Sequence, residues 1–180
     1  MKKGTDTTAW GKWEAAEAVF AAVAGTLLHF VYEWSGNNRF VAAFAPVNES
    51  VFEHLKLLFF PVLLFTVLQY FVLREKGTLI LRVKLQSVLA GLLFIVVVYY
   101  CYTGVLEKNI AWLDISLFYG AVVVNSLCAY SLFQKAGVEP FKETQNVAAG
   151  ILLWVIVTAL MICGTFFPPV GDLPGLFAAP

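Results

Sequence analysis

The segment PVNESVFEHLK, residues 46–56, sets Glu49, Glu53, His54 and Lys56 within eight residues, directly before the almost wholly apolar run LLFFPVLLFTVLQYFVL. Just upstream, LLHFVYEW adds His29 and Glu33. His29 and Glu33 stand at i and i+4, as do Glu49 and Glu53, so each pair falls on one face of a helix. Two imidazoles and three carboxylates (His29, Glu33, Glu49, Glu53 and His54) form a reasonable ligand set for a divalent metal such as zinc, iron or manganese. Glu33, Glu49, Glu53, Lys56 and Asp114 are equally a candidate ligand or proton pathway, since ionisable groups inside a membrane tend to serve transport. The third alternative is a salt-bridged clasp without turnover. Residue types alone leave all three open, and they specify no cofactor beyond that metal.

Part of the segment has a structural explanation. Ser50-Val-Phe-Glu53 has capping-box spacing, with Asn48 as an alternative cap, and acids suit a helix N-terminus. Lys56 is able to snorkel outward from so shallow a position. His54 and Lys56, however, are bases at a helix N-terminus, and Glu33 is an acid at a helix C-terminus. Each sign is wrong for its own helix dipole and right for its neighbour. An antiparallel hairpin is therefore expected to pair Glu33 with Lys56 or His54.

The elements that must position these groups are membrane spans. The chain has 180 residues, 60% of them hydrophobic and 13% charged, against about a quarter charged in soluble domains. Its mean hydropathy is +0.79. Crossing about 30 Å of hydrocarbon takes roughly 20 residues of helix. Breakers at SGNN, Lys76-Gly77, Lys135-Ala136-Gly137 and Pro168-Pro169 divide the chain into five spans, at about 13–34, 50–73, 82–105, 110–133 and 143–166. The expectation is an all-α integral membrane protein, a single five-helix bundle over residues 1–180. No cleavable leader is legible in MKKGTDTTAWGKWE, so the first helix is expected to act as its own insertion signal.

Lys and Arg near the span ends orient the bundle. Lys2, Lys3, Lys12, Arg74, Lys76, Arg82, Lys84, Lys135 and Lys142 fall on one side, against Arg39, Lys56 and Lys108 on the other. The nine-to-three split predicts a cytoplasmic N-terminus, an external C-terminus and residence in the cell (inner) membrane. Trp34, Tyr99, Tyr100, Tyr102 and Trp112 would form the outer aromatic belt. Residues 35–48 would be an outer loop, dipping back through FVAAFAP. Glu14, Ala18, Ala22, Gly25, His29 and Glu33 form a stripe whose small members allow close packing in lipid.

Other polar residues carry weaker signals. Asn125 is expected to make an interhelical hydrogen bond, and Glu14 to pair with Arg82 or Lys84 or else to be solvated. Asp114 caps its helix or joins the cluster. Glu17 lies at the inner edge, and Gln69, Gln86, Gln145 and Asn146 at helix ends where solvation suffices. Cys101, Cys128 and Cys163 read as small buried hydrophobes, with a Cys101–Cys163 bridge as the alternative. No polybasic tail suggests nucleic acid, and no phosphate loop or Ser/His/Asp set is present. The partners expected are the bilayer and either further copies or another membrane subunit.

HFVYEWSGN followed by PVNESVFEHLKLLFFP resembles a family of small multi-pass prokaryotic membrane proteins known as a domain of unknown function. The shared pattern falls on His29, Phe30, Tyr32, Ser35, Val47, Asn48, Glu49, Ser50, Phe52, Glu53, His54, Lys56 and Leu57, and FFPPVGDLPGLF resembles that family's proline-rich ending. Phe52 stands where the pattern has Trp. The resemblance implies a fold type and a functional cluster but no activity. Together these readings point to a protein with an outward-facing Glu/His/Lys site between its first two helices, binding or transporting an ion or small ligand. The alternatives are an intramembrane metal-dependent hydrolase, with His29, His54 and a Glu as ligands and another Glu as base, or an accessory subunit of a larger complex.

Overall fold

The computed structural model describes residues 7–138, 147–168 and 176–177. The expectations on Lys2, Lys3, Lys142, Gln145 and Asn146 fall outside them. Helix α1 runs Thr7–Trp34, the one-turn α2 Arg39–Ala42, α3 Val51–Val72, α4 Gly77–Leu106, α5 Ala111–Val138 and α6 Val147–Phe166. Five of these six are long and apolar enough to cross a membrane, and no strand occurs among the described residues.

Two helices begin earlier than hydropathy alone suggests. The start of α1 is anchored by Trp10, which stacks on Phe133 with ring centroids 3.9 Å apart and has the Lys76 ammonium over its ring, 5.0 Å from the centroid. Between α3 and α4 only a 3-10 turn, Arg74–Lys76, intervenes. The expected loop up to residue 81 is instead helix, seated where Tyr70 covers Gly77.

The spans pack as neighbours, α4 on α5, α1 in the angle between α3 and α5, and α3 on α4, with α6 lying against α4. Helix α3 is the central one: Leu58, Phe59 and Val62 are fully buried. Its N-terminus is held by several partners. Ser50 accepts from the Glu53 amide at 3.3 Å, and the Phe52 amide donates to the Leu176 carbonyl at 3.0 Å. The Phe52 and Phe177 rings meet at 4.5 Å.

The inward stripe of α1 is Trp10, Glu14, Glu17, Ala21 and Gly25, so the face is rotated from the expected one and takes in Glu17 and Ala21 in place of Ala18 and Ala22. At Gly25 the approach is closest. A Cβ there would stand 2.5 Å from the Leu57 carbonyl oxygen. That carbonyl lies four residues before Pro61, which has no N–H to offer it. The glycine lets α1 close over a backbone oxygen that its own helix leaves free, in the manner of a Cα–H contact between packed helices.

Candidate functional site

All four long helices around the site (α1, α3, α4 and α5) reach it at one end of the bundle, the end carrying the 35–50 connection. Asn38 caps α2 by accepting from the Phe40 amide at 2.8 Å, and the chain then turns inward, burying Ala42 and Ala45. Lys56 is fully buried and fastens this segment. Its Nζ donates to the Ala42 carbonyl at 2.9 Å, the Ala45 carbonyl at 3.4 Å and Glu53 Oε2 at 2.7 Å. Glu53 Oε2 also accepts from the Val47 amide, and Glu53 Oε1 from the Thr165 hydroxyl, both at 2.9 Å. Lys56 therefore does not snorkel, and it pairs within its own helix rather than with Glu33. Glu53 is committed to this latch and stands outside the group of candidate ligands. The capping box is half made, because the Ser50 amide is satisfied by Asn48 Oδ1 at 2.9 Å rather than by Glu53.

With Glu53 and Lys56 accounted for, His29, Glu49 and His54 remain, each offering one ligand atom within 4.8 Å of the others. Glu49 bridges the two rings. Its Oε1 lies 3.8 Å from His29 Nε2 and its Oε2 3.3 Å from His54 Nε2. The ring centroids are 5.5 Å apart. Glu33, one turn further along α1, is exposed and makes no ion pair with His54 or Lys56. The cross-hairpin pairing exists, but between His29 and the loop acid Glu49.

The tautomer of His54 follows from its surroundings. Nδ1 lies 2.9 Å from the Ser50 carbonyl oxygen, which only accepts, so Nδ1 carries a proton and donates. In the neutral ring Nε2 is then a lone pair, and it faces a carboxylate oxygen. A second ring proton or a cation held between the two atoms would complete this pair. Two ligands held about 2.1 Å from a tetrahedral ion stand roughly 3.4 Å apart, close to the 3.3 Å between His54 and Glu49, while His29 stands 3.8 Å from Glu49. An Nδ1–H tied to a backbone carbonyl is also how metal-binding histidines are commonly oriented. His29 Nδ1 is buried without a hydrogen-bond partner.

The three groups sit at the edge of a cavity of about 600 Å³. Its walls are mainly apolar, with Leu57, Ile95, Leu117 and Phe118 among them, and Tyr99, Asn109 and Asp114 contribute polar groups. Asp114 accepts the Tyr102 hydroxyl. It lines the same space as the histidines but is not one of the clustered ligands. Glu49 is 66% exposed, so the site opens to the end of the bundle.

A second polar cluster lies in the other half of the bundle, and the sequence signalled only part of it. Glu14 and Glu17 of α1 meet Lys84 of α4, with Nζ 2.6 Å from Glu14 Oε1 and 2.8 Å from Glu17 Oε2. Asn125 of α5 donates to Glu17 Oε1 at 3.0 Å. The Asn125 bond was legible in the sequence, and Lys84 was one of the three fates it left open for Glu14, beside Arg82 and solvation. Glu17 and Gln69 were not: both are fully buried rather than solvated. The one available hint was that Glu14 and Glu17 lie three apart and so share a helix face. Cys101, Cys128 and Cys163 are all free thiols, and Cys101 and Cys163 are exposed.

Five apolar spans around an ionisable site define a polytopic membrane protein. The family described as "Family of unknown function (DUF6512)" matches residues 1–177, and the chain belongs to it. No curated protein and no solved structure matches the chain.

Proposed function

We propose that the protein binds a divalent transition-metal ion of the zinc class through His29, Glu49 and His54, at the external face of the cell membrane, with its N-terminus in the cytoplasm. The observation that carries this reading is the His54 ring, whose Nδ1–H donates to the Ser50 carbonyl while its Nε2 faces Glu49. Three protein ligands leave a coordination position open. The adjoining cavity supplies room for an ion to pass or for a ligand bound to it, which favours binding and transport.

Metal-assisted hydrolysis is the second reading, and one observation favours it: Asp114 lines the same cavity, which makes its carboxylate the candidate base for a metal-bound water.

Metal content of protein purified after metal-replete expression tests the proposal. About one equivalent is expected in the wild type, with loss in His54→Ala and His29→Ala while the helical fold persists. Metal-free wild type that is also unaffected by added zinc would leave the three groups as an ion-pair clasp.

A further inference from the structure

The cluster in the other half of the bundle carries a separate inference, independent of the metal reading. Glu14 is 3% exposed, and Glu17, Lys84, Gln69 and Asn125 are fully buried. Two carboxylates face one ammonium, so with every group ionised the cluster is left with one uncompensated negative charge. Among the described residues no other charged side chain forms an ion pair with Glu14, Glu17 or Lys84. Lys76 lies over Trp10, Lys12 is exposed, Tyr70 packs on Gly77 and Tyr130 on Gly11. A lone charge enclosed among membrane helices is strongly disfavoured.

The polar groups around this charge are also unfinished. Gln69 reaches Glu14 with its side-chain amide, and its Oε1 is left without a hydrogen-bond partner. Asn125 turns its Nδ2 to Glu17 while its Oδ1 has no donor. Glu17 Oε2 touches Lys84 but makes no aligned hydrogen bond. Buried polar atoms are rarely left in this state. Two buried amide oxygens without donors, Gln69 Oε1 and Asn125 Oδ1, beside two carboxylates that share one ammonium, are what a further cation would satisfy.

We infer that Glu14, Glu17, Gln69 and Asn125 bind one exchangeable monovalent cation, a proton or a sodium ion, beside Lys84. Divalent ions are disfavoured because the Lys84 ammonium already neutralises one carboxylate. Bound by this cluster, the cation lies on the far side of the Gly25 contact from the His29–Glu49–His54 group.

The test uses the full chain in detergent, with infrared difference spectroscopy across mildly acid to mildly alkaline pH and thermal unfolding in sodium against choline at equal ionic strength. A protonated carboxylic acid at neutral pH that is lost in Glu17→Gln and Glu14→Gln supports the proton. A higher midpoint in sodium than in choline, abolished by the same variants, supports sodium. Carboxylates that stay ionised throughout, with no sodium effect, overturn the inference. Should Glu17→Gln fail to fold, the wild-type spectra and midpoints decide on their own.

Discussion

Both carboxylate oxygens of Glu53 are occupied, one by Lys56 and the Val47 amide, the other by Thr165. Glu53→Gln would leave the Lys56 ammonium buried beside two carbonyls with no counter-charge. Breaking a buried pair from one side costs about 3–5 kcal/mol, so a large fall in the thermal midpoint is expected. Much of it should return in Glu53→Gln combined with Lys56→Met, as measured by unfolding in detergent. Ser50→Ala, which removes only the cap, should cost about 1 kcal/mol. The sequence made His29, Glu49 and His54 stand out by type, but it could not separate Glu53 from them. Its spacing is compatible with either role. What decides is the inward turn of residues 39–47, which brings the Val47 amide and two carbonyls to the latch, and no helical periodicity encodes that turn.

Among the elements, the α1–α3 pair positions the histidines, and Gly25 sets its separation. Gly25→Val would drive a side chain into the Leu57 carbonyl. Overpacking of this kind costs about 1–3 kcal/mol. It should also move His29 away from Glu49 and His54, so metal binding should weaken even where the protein still folds; a metal titration at a temperature where the variant is folded checks this. The spans themselves were legible because hydrophobic length is a strong signal. The rotation of α1 was not, since Ala18, Ala21 and Ala22 are identical side chains and only their partners distinguish them. Glu17 belongs to the inward face because Lys84 and Asn125 meet it there, information held two and three spans away.

At the scale of the whole molecule, the charge asymmetry predicts which end faces the cytoplasm. In a variant lacking the three native cysteines, Asn37→Cys in the first connection should react with a membrane-impermeant maleimide added to intact cells. Gln134→Cys near the end of α5 should react only after permeabilisation. The reversed pattern would invert the bundle and place the His29–Glu49–His54 group on the cytoplasmic side. Between that group and the Glu14–Glu17–Lys84 cluster lies the point where Gly25 rests on the Leu57 oxygen. The Phe118 ring of α5 closes on the same glycine, where a Cβ would stand 2.6 Å from it, so α1 is gripped at this level. Such a contact is a fulcrum. Any tilt of α1 about it that parts the helices at one end must press them together at the other, so the two polar clusters sit on opposite arms of one lever.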